Sequence, residues 1–186
     1  MWDALLNLDR DLFLALNGWG NPGWDTFWLW LSDKWVAIPL YVYLVYFIYR
    51  QWGYKRLLLA LLFIGLLVTC SDQLANFFKY GIQRLRPCHE PNLAGLMRLV
   101  KPNCGGEFGY FSAHAANAFG VAVFFATLWI RKYRMGMMLL LFWGVAVGYS
   151  RVYLGVHYPL DVFSGFIIGG ILGWIFARLL QHAALK

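Results

Sequence analysis

His157 and Asp161 stand four residues apart, the spacing that stacks two side chains on one face of a helix. A carboxylate so placed accepts a hydrogen bond from one imidazole nitrogen and leaves the other as an outward lone pair. Such a histidine is a nucleophile, and the carboxylate stabilises the positive charge that forms when it attacks phosphorus. Lys79, Arg86 and Arg151 add three fixed cations. They suit a phosphoryl group, because its transfer spreads negative charge over equatorial oxygens that need clamping rather than covalent help. Ser112 and Ala113 stand where an apolar helix is expected to begin, and the unpaired amides of a helix N-terminus bind anions. Ser112 serves equally as a plain N-cap. His114 is in position to protonate a departing oxygen. Each group alone has a plainer reading: His157 and Asp161 would stabilise a helix, and a lone Lys or Arg would anchor a helix end at a membrane surface. Three clusters directed to one membrane face favour phosphate chemistry.

The elements that must position these groups are membrane helices. Of 186 residues, 61% are apolar and 13% charged, against about half and about a quarter in ordinary soluble domains. Too few charges remain to cover a water-facing surface. The length suits one domain, residues 1–186, with the chemistry-bearing motifs in 79–161. Spanning a bilayer takes about 20 mainly apolar residues, and Arg56–Phe78, Ala113–Ile130, Met135–Tyr149 and Pro159–Leu180 meet that need. Trp35–Tyr49 reads as a further membrane helix, with Trp24–Leu31 a tilted or partly inserted helix ahead of it. Residues 1–20 read as an amphipathic helix, either lying in the interface or packed on the bundle. Its Leu5, Leu8, Leu12, Phe13 and Leu16 fall opposite Asp3, Asn7, Arg10 and Asn17. Asn17-Gly18 and Asn21-Pro22-Gly23 then break the chain. The fold class is all-α: an integral membrane bundle of about six helices, about five or six of them transmembrane, with the site at one membrane face. Met1 to Asp11 lacks a basic leader, which predicts that the N-terminus is kept.

Arg50, Lys55 and Arg56 fall in one predicted turn, Arg131, Lys132 and Arg134 in another, and Arg178 and Lys186 towards the C-terminus. Counting spans puts all of them on one face, which the enrichment of Lys and Arg in short cytoplasmic loops makes the cytoplasmic one. Residues 80–111 and 150–158 then share the external face, periplasmic in a Gram-negative cell. The net charge of +7 reflects these anchors and an anionic substrate, not nucleic acid. Cys88 and Cys104 both lie in the external loop, where an oxidising compartment lets them pair, and a disulfide is predicted. Free thiols and metal ligation with His89 are the competing readings; three ligands in a loop fall short of a closed zinc site. Arg98 and Lys101 in the same loop are candidates for touching a second phosphate, which would favour a pyrophosphate substrate; solvated charges are the competing reading.

Three motifs emerge in order: Lys79 with six residues before Arg86-Pro87, then Ser112-Ala113-His114, then Ser150-Arg151 with five residues before His157 and three more before Asp161. The set resembles that of the type 2 phosphatidic acid phosphatase family, also called the acid phosphatase and vanadium haloperoxidase superfamily. The first and third motifs match the family pattern. The second departs from it, with Phe111-Ser112-Ala113-His114 where Pro-Ser-Gly-His is usual. The resemblance implies that His157, oriented by Asp161, attacks phosphorus to form a phosphohistidine. It implies that Lys79, Arg86, Arg151, Ser112 and the Ala113 amide hold the phosphoryl oxygens, and that His114 protonates the leaving group and then activates water. It implies no metal and no cofactor. Family frequency and outward topology favour an undecaprenyl pyrophosphate phosphatase of the bacterial inner membrane, with the site facing the periplasm. The alternatives are a phosphatidylglycerophosphate, phosphatidic acid or lipid A phosphatase, or a lipid phosphotransferase. The remote alternative is a transporter built on Asp72 and Lys79, which would need no nucleophile. The expected partners are a lipid phosphate substrate and the surrounding membrane lipids.

Overall fold

The structure, a computed structural model, describes residues 2–101 and 103–184; Met1 and Lys186, counted above in the N-terminal segment and the C-terminal charges, lie outside the described residues. Among the described residues the chain forms six α-helices: α1 (Trp2–Gly18), α2 (Pro22–Ser32), α3 (Ile38–Ile82), α4 (Ala113–Trp129), α5 (Arg134–Tyr153) and α6 (Pro159–Ala184). Two short 3-10 turns, Pro87–His89 and Pro91–Leu93, lie in the long loop between α3 and α4. Helices α3, α5 and α6 are long and apolar enough to cross a membrane, and α4 is a shorter apolar helix. This is a multi-pass, all-α membrane protein.

At 45 residues α3 is more than twice the length one crossing needs. It breaks at Gly53, whose φ of 74° and ψ of −178° fall in a region that is essentially glycine's alone. The break coincides with the turn that Arg50, Lys55 and Arg56 predict. The two arms, 38–52 and 54–82, fold back to line one cavity, through Leu44 and Ile48 on the first and Leu61, Ile64 and Val68 on the second. The basic turns share one end of the bundle: Lys132 Nζ and Tyr133 Oη, between α4 and α5, both donate to Gln51 Oε1, at 3.2 and 3.1 Å. The end of α3, the starts of α4 and α6 and the end of α5 meet at the opposite end.

Helix α4 sits at the centre of the bundle, with Ala115, Ala116, Ala118, Ala122, Phe124 and Phe125 all buried. Its closest partner is α6, where Gly165, Gly169, Gly173 and Ala177 recur every four residues. The glycines lie directly against the backbones of Ser112, Ala116 and Gly120. Lipid tails are as apolar as any side chain, so helices in a bilayer associate through close packing, and small residues permit the approach.

Helix α1 corrects one feature of its amphipathic reading. Leu5, Leu8 and Leu12 are exposed as that reading requires, yet Asp9, Phe13 and Asn17 form an inward stripe. Asn17 Nδ2 donates to the carbonyls of Arg98, Val152 and Tyr153, and its Oδ1 accepts from the Arg98 amide at 2.7 Å. Periodicity separates two helix faces, but a polar face docked on irregular backbone looks the same in sequence as one facing water.

Candidate active site

The short connection between α5 and α6 carries His157. The backbone amides of Val156 and His157 both donate to the Arg151 carbonyl, at 3.1 and 3.3 Å, so the nucleophile candidate is tied to the helix that presents Arg151. Asp161 occupies the first turn of α6. Its Oδ2 accepts from the Tyr158 amide at 3.0 Å and faces His157 Nδ1 at 3.4 Å, while Oδ1 accepts from Arg84 Nη1 at 3.0 Å. The Gly109 main chain lies near the His157 ring. His157 is 3% exposed and Asp161 fully buried. Burial, followed by the charges of Arg86, Arg151 and Lys79, holds the His157 pKa well below the usual histidine range. Both effects favour the neutral ring, which keeps a lone pair. Lys79, Arg86 and Arg151, from well-separated stretches, lie within electrostatic reach of one imidazole.

The long loop returns alongside the first motif and fixes Arg86. Leu85 pairs with Phe108 in an antiparallel bridge, Arg86 N donates to the Glu107 carbonyl at 3.0 Å, and Gly109 N donates to the Arg84 carbonyl at 2.8 Å. The guanidinium donates through Nε to the Phe108 carbonyl at 3.2 Å and through Nη1 to that of Cys104 at 3.0 Å. Cys88 and Cys104 face each other with Cα atoms 6.3 Å apart, within the span a disulfide needs, and His89 lies beside them. Arg151 is 6% exposed and donates from Nη1 to Ser32 Oγ, while its Nε has no hydrogen-bond partner among the described residues. A buried donor left unpaired costs about 1–3 kcal/mol, a cost that an anionic oxygen in the site would remove. Lys79 lies in the last turn of α3. Asp72, two turns earlier, accepts from Asn117 Nδ2 at 2.8 Å and ties α3 to α4.

Ser112 caps α4: its Oγ accepts from the Ala115 amide at 3.4 Å, and its own amide donates to the Asp161 carbonyl at 3.0 Å. The second and third motifs are thereby joined through the main chain. Ala113 is the first helical residue, so its amide belongs to the unpaired N-terminal set. The His114 ring lies near the Ser32 main chain and within reach of the charges of Arg151, His157 and Lys101. His114 and Arg151 line a cavity of about 770 Å³ together with Ser32, Lys34 and Lys101.

Several contributors escape the sequence reading. Arg84 pairs with Asp161 and also with Asp9 Oδ2 at 2.6 Å, and its guanidinium lies 4.0 Å from the Tyr158 ring centroid. Asp9 Oδ1 in turn accepts from the Leu160 amide at 2.8 Å, so α1 braces the start of α6. Ser32, at the end of α2, accepts from Arg151 and lies near the His114 ring. Arg84 was visible as an extra cation inside the first motif's spacer; Asp9 and Ser32 gave no signal beyond a polar residue in an apolar helix. Arg98 departs from expectation. It forms a two-pronged pair with Asp25 at 3.0 Å and stacks over Tyr153, and so holds α2 to the loop instead of facing the cavity. Lys101 does face it; burial, then Arg151 and Arg86, push its pKa down.

The profile of the PAP2 superfamily matches residues 53–184. A lipid A 4'-phosphatase of Bacteroides thetaiotaomicron is 38% identical over 178 residues, covering 95% of this chain and 78% of that protein. An undecaprenyl-diphosphatase of Sulfolobus acidocaldarius is 32% identical over a shorter stretch, 61% of this chain and 52% of that protein. The crystal structure of Aquifex aeolicus LpxE superposes with a TM-score of 0.68 at 30% identity, covering 92% of this chain and 95% of that one.

Proposed function

Because the chain belongs to the PAP2 superfamily and is a membrane phosphatase of that type, we propose that its substrate is a phosphate monoester on a lipid A-like acylated sugar. His157 attacks phosphorus through the ring nitrogen turned away from Asp161, the bond from phosphorus to the lipid oxygen breaks, and His114 gives that oxygen a proton. Water then attacks the phosphohistidine while His114 takes its proton, the phosphorus–nitrogen bond breaks, and inorganic phosphate leaves. Asp161 stabilises the charged imidazole. Lys79, the free donors of Arg86 and Arg151, and the amides opening α4 hold the oxygens, with Ser112 setting that helix start. The observation that carries this reading is the buried, unpaired Nε of Arg151 together with a buried His157 whose amide is tied to the Arg151 carbonyl.

The preference for undecaprenyl pyrophosphate rested on family frequency and topology. It gives way because relatives matched over nearly the whole chain are lipid A 4'-phosphatases, while the undecaprenyl-diphosphatase matches a shorter part. The site is proposed to open on the outer face of the inner membrane. The test is release of inorganic phosphate by the detergent-purified protein, with EDTA present, from lipid A, undecaprenyl pyrophosphate and phosphatidylglycerophosphate. The highest kcat/KM is expected on lipid A, and His157→Ala should lower it by on the order of 10⁶-fold, as loss of a nucleophile does elsewhere. Preference for undecaprenyl pyrophosphate would restore that substrate, and sustained turnover by His157→Ala would remove it as nucleophile.

A further inference from the structure

We infer that the cavity on the His114 side of the site is a leaving-group subsite in which Trp30, Asp33, Lys34, Trp35 and Lys101 recognise an acylated sugar bearing a second anionic group. This rests on the phosphatase reading above and deepens it. In-line displacement puts the nucleophile and the leaving group on opposite sides of phosphorus. The 770 Å³ cavity is lined by His114 and Arg151, which the reading above makes the proton donor and one of the cations on the phosphoryl oxygens. A group held there lies beside the proton donor, the position of the leaving group.

The remaining walls come from outside the three motifs: α2, the turn from Asp33 to Val36, and Lys101 of the long loop. They bring two cations beyond those directed at the reacting phosphate, one carboxylate and two exposed indoles. Lys34 Nζ lies 5.4 Å from the Trp35 ring centroid, so cation and indole act from one patch. A sugar offers hydroxyl donors to Asp33 and a face of C–H groups to an indole, and a second phosphate on it meets Lys34 and Lys101. A second cavity of about 450 Å³ shares Asp33, Lys34 and His114 and then runs between the α3 arms and α4 past Tyr41, Leu61, Val121 and Trp143. Its apolar walls fit a hydrocarbon chain hanging from the same head group. A prenyl pyrophosphate would bring a chain and, in its departing phosphate, an anion for the lysines, but neither ring nor hydroxyls for Asp33 and the indoles.

The experiment is steady-state kinetics of the full chain in micelles on four substrates. These are an acylated glucosamine disaccharide with two phosphates, the same lipid with only the scissile phosphate, a phosphatidate of equal chain length, and para-nitrophenyl phosphate. Lys34→Met and Lys101→Met should raise KM for the bisphosphorylated sugar lipid about tenfold more than for the other three, the scale of one lost charge-assisted contact. Trp30→Ala should weaken both sugar lipids more than phosphatidate. Equal losses on all four would mean that these side chains grip the reacting phosphate or merely anchor the protein at the interface, and would overturn the subsite. So would indifference of the variants on the sugar lipids, or wild-type turnover of phosphatidate with none of the sugar lipids. No release from any substrate by the wild type would remove the phosphatase reading itself, and this one with it.

Discussion

At the scale of single residues, the protonation of His157 decides when the site can work. Burial and three neighbouring cations all disfavour the imidazolium, so the group loses its proton below the ordinary histidine pKa and is a nucleophile at any higher pH. With para-nitrophenyl phosphate, and after allowance for that substrate's own ionisation, the acid limb of kcat/KM should lie below about pH 6.5, the unperturbed value. A limb at or above that pH would mean that His157 is solvated in the working protein. The residues of this centre were legible because each motif is short: Arg151, His157 and Asp161 lie within eleven positions of one another. Their supports were not. Arg84 meets Asp9 and Asp161 across 75 and 77 residues, and Ser32 meets Arg151 across 119. Spacing within a motif carries no information about such partners, which only the packing of α1 and α2 on the bundle brings together.

At the scale of elements, α4 and α6 hold the second and third motifs in register. Asp161 and Gly165 are four apart on α6, so the carboxylate stands one turn above a glycine that touches the main chain of Ser112. A methyl at Gly165 would come 2.7 Å from the Ser112 carbonyl oxygen, and one at Gly173 would strike the Gly120 carbonyl three turns from the chemistry. Overpacking of this kind costs about 1–3 kcal/mol. Both Gly165→Ala and Gly173→Ala should lower the melting temperature in detergent. Only Gly165→Ala should also cut kcat, by roughly tenfold or more, since displacement of reacting groups by about 1 Å is enough to do so. Equal kcat losses in the two variants would show that the helix pair responds as one body and does not set the site locally. The helices themselves were readable from apolar runs, and the fold-back in α3 from charges flanking Gly53. The inward face of α1 was not, because Asp9 and Asn17 are buried on polar backbone and side-chain partners instead of apolar ones.

At the scale of the whole molecule, the bundle is polarised, with basic turns at one end and the phosphate site at the other. Lys and Arg in short loops are retained on the cytoplasmic side, so the site end should face outward. A disulfide between Cys88 and Cys104 gives an independent handle, because cytosolic reductants would keep both thiols reduced if the long loop faced inward. Leu96 in that loop is 64% exposed, and Arg131 is exposed in the turn between α4 and α5. In a Cys70→Ala background, Leu96→Cys should react with a membrane-impermeant maleimide in intact cells, and Arg131→Cys only after lysis. Protein isolated with its thiols trapped should gain the mass of two hydrogens on reduction. Labelling in the reverse order, together with free Cys88 and Cys104, would place phosphate release on the cytoplasmic side, where the substrate would have to be met before it is exported. Labelling as expected but with free thiols would leave the orientation standing and make the loop's closure depend on the pairing of Leu85 with Phe108 and the grip of Arg86 on the Cys104 and Phe108 carbonyls.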